Sequence, residues 1–291
     1  MLVRSDTLDI IRNLAVEEYL LDLPEPEPIL FLYRASPAVV IGRNQNPWRE
    51  CDPDELTAAG VQLARRMSGG GAVYHDPGNL NAALVTRRAD YDPARLAGLV
   101  GETLRALGVA AAPLNRSSLA VAGRKFSGSA YRLRRERALH HCTLLVSADL
   151  DRLRRALRPA FDGLATRAVG SVPAEVMNLG EAVRGLDCET LARALQDRFR
   201  TLVGETETRD AAAFPADAVA ALEARLRGWD WLYGDTPDFE IEVPVASPGG
   251  EVLSLHVHRG RVAAARGGDP VLCRRLAGVR FMSPEYRRYV G

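Results

Sequence analysis

A single lysine, Lys125, stands in this chain of 291 residues, and every other Lys or Arg position is arginine. Lysine is ordinarily among the commonest residues. It carries a compact charge on a flexible stem, whereas arginine presents a wide planar fork of donors. We therefore predict that Lys125 aims one positive charge into a pocket too tight for arginine. The alternative is a lysine that has survived by chance.

Three consecutive glycines, Gly69 to Gly71, follow the arginine pair Arg65 and Arg66. Glycine lets the backbone approach a ligand closely and present N–H groups to an anion, and guanidinium groups bind phosphate or carboxylate through two parallel hydrogen bonds. Neither the strand–GxGxxG–helix pattern nor GK[ST] is present. A phosphate bound here would therefore be held by a less common loop between two strands. The alternative is a glycine-rich hairpin corner.

His140, His141 and Cys142 form a third candidate cluster. A histidine can supply an acid, a base or a positioning donor, and a cysteine beside an activating base can be a nucleophile. Because neighbouring strand residues point to opposite faces, only one of the two histidines can face a site. For Cys142 we favour a small buried apolar role, since free cysteine is among the most buried residue types.

His256 and His258 share one face of a predicted strand. A protein metal site normally needs three or four ligands, and no third ligand is near them in the sequence. We therefore expect a plain strand surface and no metal site.

The composition is 47% hydrophobic and 26% charged, with a net charge of +1. Such a near-neutral balance argues against a nucleic-acid binder, and no apolar run approaches the roughly 18 residues that span a membrane. The four cysteines are widely spaced, which indicates reduced thiols. The N-terminal segment has no presequence pattern. We expect a cytoplasmic protein, or one of the mitochondrial matrix if a longer precursor exists.

The elements that must position these residues follow from hydrophobic patterning. Helices are predicted at 8–21, 93–107, 150–157, 188–202 and 217–226. Strands are predicted at 29–33, 38–41, 61–66, 72–75, 79–86, 239–245 and 252–258, and short strands at 119–121 and 144–146 flank a loop that carries Lys125. This irregular mixture predicts an α+β fold. A composition shift after Gly204 places a boundary between a catalytic domain, 1–206, and a small C-terminal α+β domain, 207–291.

Several segments, in order along the chain, resemble the lipoate–protein ligase A and lipoyltransferase family. They are NLAVEE at 13–18, GRNQNPW at 42–48, RRMSGGGAVYHDPGN at 65–79, GRKFSGSA at 123–130 and HHCTLL at 140–145. WDWLYG at 229–234 resembles the start of the family's small accessory domain.

The resemblance implies mixed β-sheets flanked by helices, as in biotin–protein ligases. It implies that lipoate and ATP, with Mg²⁺, form lipoyl-AMP. The lipoyl group then passes to a lysine of a lipoyl domain, in a 2-oxoacid dehydrogenase E2 subunit or the glycine cleavage H protein. We expect a monomer that binds neither nucleic acid nor membrane.

The same match assigns roles to individual residues. Lys125 would be the catalytic group, contacting both the lipoyl carbonyl and the phosphate, where an ammonium stabilises the developing negative charge. The ATP or lipoyl-AMP site would comprise Arg66, Gly71, Ala72, Val73, Tyr74 and Lys125. The lipoyl group would contact Ser68, Gly69, Gly70, His75, Ser127, Gly128 and His141.

Two departures from the family pattern define the alternatives. The stretch Arg116-Ser117-Ser118 lacks the acidic residue that ligases usually carry there, which fits a transferase that uses preformed lipoyl-AMP or a lipoylated carrier protein. Cys142 stands where bacterial ligases usually have glycine, and the mitochondrial lipoyltransferases, which accept a preformed lipoyl donor, resemble this sequence there. A third possibility is an octanoyltransferase working through a Cys142 thioester. A fourth possibility is a binding protein without turnover.

Overall fold

The computed structural model describes residues 1–24, 28–246 and 250–291. Its strands, in chain order, are β1 (Leu2–Arg4), β2 (Ile29–Tyr33), β3 (Ala38–Ile41), β4 (Gln62–Arg65), β5 (Val73–His75), β6 (Asn79–Arg87), β7 (Ala112–Asn115), β8 (Ser118–Val121), β9 (Arg124–Leu133), β10 (Arg137–Leu145), β11 (Ala165–Thr166), β12 (Thr208–Asp210), β13 (Phe239–Pro244), β14 (Val252–His258) and β15 (Arg261–Arg266).

The α-helices are α1 (Ile10–Asp22), α2 (Pro47–Glu50), α3 (Pro53–Ala58), α4 (Pro93–Ala106), α5 (Leu150–Ala156), α6 (Cys188–Val203), α7 (Ala216–Arg227), α8 (Pro270–Leu276) and α9 (Pro284–Val290). Of the helices in the described ranges, none is long and apolar enough to cross a membrane.

An eight-stranded sheet, in the order β12-β1-β2-β6-β10-β9-β8-β7, forms the centre of the molecule. β1 runs parallel to both β12 and β2, and the pairs from β2 to β7 are antiparallel. One face packs against α4 and α6, and the other packs against α1 and α7. Because the side chains of a strand alternate between faces, this sheet separates two apolar layers.

The predicted helices follow from local capping and periodicity. Helix α4 begins at Pro93, where the Asp92 side chain accepts a hydrogen bond from the Ala94 N–H. Proline suits the first helical position because its missing N–H has no intrahelical partner there. Leu96 and Leu99 then lie on the buried face. The predicted helix at 93–107 is thereby confirmed.

A three-stranded sheet, β4-β3-β5, faces the central sheet on the α1 side. β3 runs parallel to β4 and antiparallel to β5. The glycine-rich loop connects β4 to β5, as the sequence predicted. This loop is therefore held between two strands of the small sheet and directed toward the central sheet.

The C-terminal part contains a four-stranded antiparallel sheet, β11-β13-β14-β15. Its core includes Trp48 of α2, which stacks on Tyr233 at a ring separation of 5.4 Å and meets Phe281 edge-on at 5.0 Å. Large aromatic rings contribute much of the apolar area in such contacts. The tryptophan of the GRNQNPW segment thus fixes the two parts of the chain together.

The domain boundary predicted at 206/207 stays a prediction. Elements from each side of this position pack with the other part of the chain. β12 adds to the central sheet, and α7 packs against α1. In the other direction, β11 pairs with β13 of the C-terminal sheet.

One prediction around Lys125 is wrong, because Lys125 lies in the ten-residue strand β9 and not in a loop. The strand predicted at 144–146 is present but begins earlier, since β10 spans Arg137–Leu145. Gly123 to Ala130 is rich in glycine and serine, which are not typical strand residues. Pairing with β8 and β10 supplies the order that the local sequence lacks.

Candidate active site

A cavity of about 590 Å³ lies between the central sheet and the small sheet. Its wall draws on α1, on strands β2, β3 and β5 to β10, on the glycine loop, and on the segment 169–174. Protein cavities that bind small molecules typically have volumes of roughly 300–1,000 Å³. The wall combines apolar groups with a few polar ones, so this cavity is the candidate active site.

Lys125 lies at one side of this cavity, near the start of β9. Its backbone N–H donates to the Glu175 carbonyl at 2.8 Å, and its carbonyl accepts from the Met177 N–H at 2.9 Å. Its ammonium has no hydrogen-bond or ion-pair partner among the described residues, and burial lowers the pKa of Lys125. A Cβ placed on Gly128 would lie 3.3 Å from the ammonium nitrogen. The charge is therefore unneutralised and closely confined.

Arg66 shapes the glycine loop from within the protein. It is buried, and its Nη2 donates to the Gly69 carbonyl at 2.5 Å and to the Gly71 carbonyl at 2.8 Å. Nη1 donates to the Val40 carbonyl at 3.0 Å, and Nε donates to Ser68 Oγ at 3.0 Å. Burial lowers the pKa of Arg66 to about 10. Arg66 therefore serves the cavity mainly by holding the loop in place.

Arg65, the last residue of β4, joins this strand to the C-terminal part of the chain. Its Nη1 donates to three carbonyls of the turn at 42–45, and its Nη2 donates to the Leu232 carbonyl at 2.8 Å and to Thr236 Oγ1 at 3.0 Å. The Trp231 indole donates back to the Arg65 carbonyl at 2.7 Å. The sequence predicted that both arginines bind an anion. For Arg65 this is wrong, because its side chain is fully buried and bound to protein carbonyls.

Gly42 and Gly70 meet where the turn after β3 crosses the glycine loop. A Cβ on Gly42 would lie 2.2 Å from the Gly70 carbonyl oxygen, and Gly70 has a φ of +85°. A side chain at the first position has no space, and at the second it would strain the backbone. The loop therefore needs glycine for both close approach and conformation.

A buried hydrogen-bonded chain runs behind the cavity wall from Glu17 through His141 to Ser68. His141 Nδ1 lies 2.8 Å from Glu17 Oε2, and His141 Nε2 lies 2.7 Å from Ser68 Oγ. The Tyr33 hydroxyl also donates to Glu17, at 3.0 Å. Ser68 is fully buried and also bound by Arg66, so this arrangement braces the loop and does not present a serine nucleophile.

His75 enters the cavity wall from β5. Its Nδ1 lies 3.4 Å from Asn81 Nδ2, and its buried Nε2 has no hydrogen-bond partner among the described residues. Burial, and then the charge of Arg66, lower the pKa of His75 to about 3. The ring is therefore neutral near pH 7, and its Nε2 could bond to a ligand.

A segment at 169–174, which we call the strap, closes one side of the cavity. Ser171 Oγ accepts from the Ala72 N–H at 2.8 Å and from Gln45 Nε2 at 3.2 Å, and it donates to the buried Glu50 carboxylate. The strap thus occupies one N–H group of the glycine loop, which would otherwise be available to an anion.

The structure brings most of the predicted site residues together. Those in the cavity wall are Arg66, Gly70, Gly71, Ala72, Val73, His75, Lys125, Gly128 and His141. Ser68 and Gly69 lie directly behind the wall, in contact with Arg66. Two side chains face elsewhere: Tyr74 packs against Val39, Ile41 and Cys51, and Ser127 lines a different cavity on the other face of the sheet.

Sequence reasoning missed Glu17 as a partner of His141, and it missed the strap. Glu17 lies in the NLAVEE segment, so its motif was visible, but its partner is 124 positions away. The strap contains Val172, which is 83% exposed, and it carried no recognised pattern.

Cys142 lines the cavity but lacks an activating base. Both nitrogens of His141 are engaged elsewhere, and burial raises the pKa of the Cys142 thiol to about 12. The reactive form of cysteine is the thiolate. The geometry therefore favours the apolar role for Cys142.

Magnesium has no carboxylate ligand in the wall of this cavity. The lining residues include no Asp or Glu, and the described part of the chain has no group of three side chains placed to hold a metal. Protein-bound Mg²⁺ usually takes one or two carboxylates besides substrate phosphates. These residues do not fit a resident magnesium ion.

The model of the lipoyl protein ligase A/B catalytic domain family matches residues 9–200. The chain belongs to this family. The α+β fold with mixed sheets and flanking helices, expected from the motifs, is confirmed.

Solved structures of related proteins are similar over most of the chain. P. falciparum LipL1, in complex with lipoate, is 25% identical over 99% of this chain and 92% of that one, with a TM-score of 0.70. A bipartite lipoate protein ligase from Thermoplasma acidophilum, described with its E2 lipoyl domain, is 26% identical over 77% and 90%, with a TM-score of 0.64. A lipoate-protein ligase A bound with ATP is 26% identical over 77% and 92%, also with a TM-score of 0.64.

Proposed function

We propose that this protein attaches a lipoyl group in amide linkage to a lysine of lipoyl domains, after activating lipoate with ATP to lipoyl-AMP. The observation that carries the proposal is the ammonium of Lys125, which has no partner among the described residues and lies in the wall of the 590 Å³ cavity that Gly70 and Gly71 also line. Family membership and the relatives solved with lipoate and with ATP support it. The relative described with an E2 lipoyl domain supports that class of acceptor, and we propose the glycine cleavage H protein as a second.

The proposed reaction has two steps with balanced bonds. A carboxylate oxygen of lipoate bonds to the α-phosphorus of ATP, and pyrophosphate leaves. The amine of the acceptor lysine then attacks the carbonyl carbon, the bond to AMP breaks, and the amine loses a proton. Negative charge develops on the carbonyl oxygen and on the departing phosphate. Electrostatic groups held ready for such charge are usually the largest single contribution to catalysis.

Lys125 suits both charges because it is small, confined and free of a competing carboxylate among the described residues. Gly70 and Gly71 line the same cavity, and Arg66 binds the carbonyls of Gly69 and Gly71, so these oxygens are paired within the protein. Apolar groups of the wall, such as Leu14 and Val73, would contact the aliphatic part of the acyl chain.

A second candidate function is transfer from preformed lipoyl-AMP without adenylation. It is favoured by the absence of acidic residues from the described cavity wall and by the stretch Arg116-Ser117-Ser118 at its rim. A carboxylate in this stretch would help to bind a magnesium–nucleotide complex. The two candidates share the transfer step and differ only in the first step.

The deciding experiment supplies purified protein with lipoate, Mg-ATP and an apo lipoyl domain, and it measures pyrophosphate release and lipoylation separately. Ligase activity predicts both signals. Lipoylation from synthetic lipoyl-AMP, with no release of pyrophosphate from ATP, would show that the protein is a transferase and not a ligase. Tight lipoate binding with no product from either donor would leave only a binding protein.

The octanoyl thioester mechanism makes a distinct prediction at Cys142. The raised pKa of this thiol opposes thioester formation near neutral pH, so Cys142→Ala is expected to keep at least about half of the transfer rate, because the thiolate is the nucleophilic form. Loss of transfer in this variant, with folding intact, would restore the thioester mechanism.

A further inference from the structure

A second cavity, of about 260 Å³, lies on the opposite face of the central sheet from the candidate active site. Helix α4 forms one side, and strands β7 to β10 form the other. A water molecule occupies about 30 Å³ in the liquid, so the space corresponds to roughly eight or nine non-hydrogen atoms. This suits the aliphatic chain of a small ligand whose polar end lies at the rim, and not a nucleotide.

The helix side of the second cavity is apolar. It is formed by Pro93, Leu96, Ala97 and Val100 of α4. Such a wall favours an aliphatic chain, because removing apolar surface from water is favourable.

The strand side provides a buried polar atom with no partner. His140 is 7% exposed, and its Nδ1 is buried without a hydrogen-bond partner among the described residues. Burial lowers the pKa of His140 to about 4, so its ring is neutral near pH 7. Most buried polar groups are hydrogen-bonded, and an unpaired one in a cavity wall therefore indicates a ligand group that pairs with it.

Arg116 provides a positive charge at the rim. It is exposed, it has no carboxylate partner in the described part of the chain, and it lines both cavities. A guanidinium pairs with a carboxylate through two parallel hydrogen bonds. Apolar walls, one neutral donor or acceptor, and one cation together match an aliphatic acid.

We propose that the second cavity binds a short aliphatic carboxylate, with its chain along α4, its charge paired to Arg116 and its oxygen bonded to His140. The proposal does not depend on the transfer reaction. The two cavities meet at the edge of the sheet, where both are lined by Asn115, Arg116, Ser117 and Ser118.

Binding stoichiometry tests the proposal with radiolabelled octanoate in equilibrium dialysis. The wild-type protein is expected to bind two molecules per chain. Ala97→Phe, which fills the second cavity, is expected to bind one. The matched control Ala106→Phe, exposed at the end of the same helix and outside the cavity, is expected to bind two. His140→Leu is expected to weaken the second site about five-fold, the loss of one hydrogen bond.

Three other results are distinguishable. One molecule per chain in wild type and still one in Ala97→Phe overturns the second site. One in wild type and none in Ala97→Phe keeps the second site and opposes acid binding in the first cavity, which contradicts the proposed function. Two in both proteins, with the Ala97→Phe variant shown to be folded by thermal melting, overturns the assignment to this cavity.

Photocrosslinking of the wild-type protein gives a test that needs no variant. An eight-carbon carboxylic acid with a diazirine at its chain end is expected to label peptides from both cavities, including 93–100. Labelling confined to the first cavity would overturn the proposal.

Discussion

At the scale of single residues, Lys125 differs from the two site arginines by the space around its charge. Arg65 and Arg66 spread their guanidinium groups over backbone carbonyls, where a planar fork with several donors is needed. Lys125 instead ends in a confined region beside Gly128, with no acceptor among the described residues. The compositional bias therefore agrees with the local geometry: arginine holds the structure, and lysine faces the cavity.

Lys125→Arg is expected to fold normally and to lose at least about 10²-fold in the rate of acyl transfer, the usual loss when a transition-state donor is displaced. The charge is kept, but the fork cannot fit where the ammonium lies. Single-turnover transfer from synthetic lipoyl-AMP measures the loss, and thermal unfolding checks the fold. A variant with nearly wild-type rate would show that Lys125 has survived by chance.

Gly128→Ala tests the same confinement from the opposite side. The added methyl would lie 3.3 Å from both Cε and Nζ of Lys125, so the ammonium must move by a few tenths of an ångström. We expect a loss of about ten-fold in transfer rate, since small displacements of a catalytic group are costly. The matched control is Gly98→Ala, in an open position of α4, which should keep the rate and stabilise the fold by about 0.5–1 kcal/mol. Equal rates in the two variants would contradict the assignment.

At the scale of elements, the sequence specified the periodic segments and not the long-range pairings. Helix α4 could be predicted because its cap, proline and buried leucines are all local. Strand β9 could not, because its glycine and serine residues are ordered by neighbouring strands. The pair Glu17 and His141 joins α1 to β10, so neither residue identifies the other in sequence.

Ser171 contributes several of the hydrogen bonds that hold the strap in position. Ser171→Ala removes a hydroxyl that bonds to Glu50, Ala72 and Gln45. Glu50 and the freed donors each lose one partner at a partly exposed site, so we expect a loss of about 1 kcal/mol in the free energy of unfolding. Amide hydrogen exchange should also accelerate across the strap.

The control for this change is Ser36→Ala, at an exposed serine outside the site. It is expected to alter neither the stability nor the exchange of the strap. Unchanged protection of the strap in Ser171→Ala would show that its ends alone hold it closed.

At the scale of the whole molecule, the candidate site depends on parts of the chain that the motifs do not connect. Arg65 binds the turn at 42–45 and the segment at 232–236 simultaneously, and Trp48 joins the C-terminal core. The motifs predicted the family and about half of the cavity wall, because those residues lie in recognisable segments. They did not predict that one arginine would join the central and C-terminal parts, since that role arises only in the folded chain.

The same packing makes the molecule sensitive to acid through His75 and His140. Burial lowers the pKa of His75 to about 3 and that of His140 to about 4, whereas an unfolded histidine has a pKa near 6.5. Below about pH 6.5 the unfolded chain therefore takes up protons that the folded chain refuses. Their contribution to stability is complete above that pH and is lost as the pH falls toward 3 to 4.

His140→Leu is expected to reduce the slope of unfolding free energy against pH by about 1 kcal/mol per pH unit between pH 6 and 4.5, since one full proton of difference corresponds to about 1.4. Urea unfolding at several pH values measures the slope. The control is Tyr91→Phe, whose ring lies 6.0 Å from that of His140 and whose hydroxyl does not titrate in this range. If the leucine variant keeps the wild-type slope, His140 takes up its proton equally in the folded and unfolded states, and the apolar surroundings of the second cavity do not exclude charge.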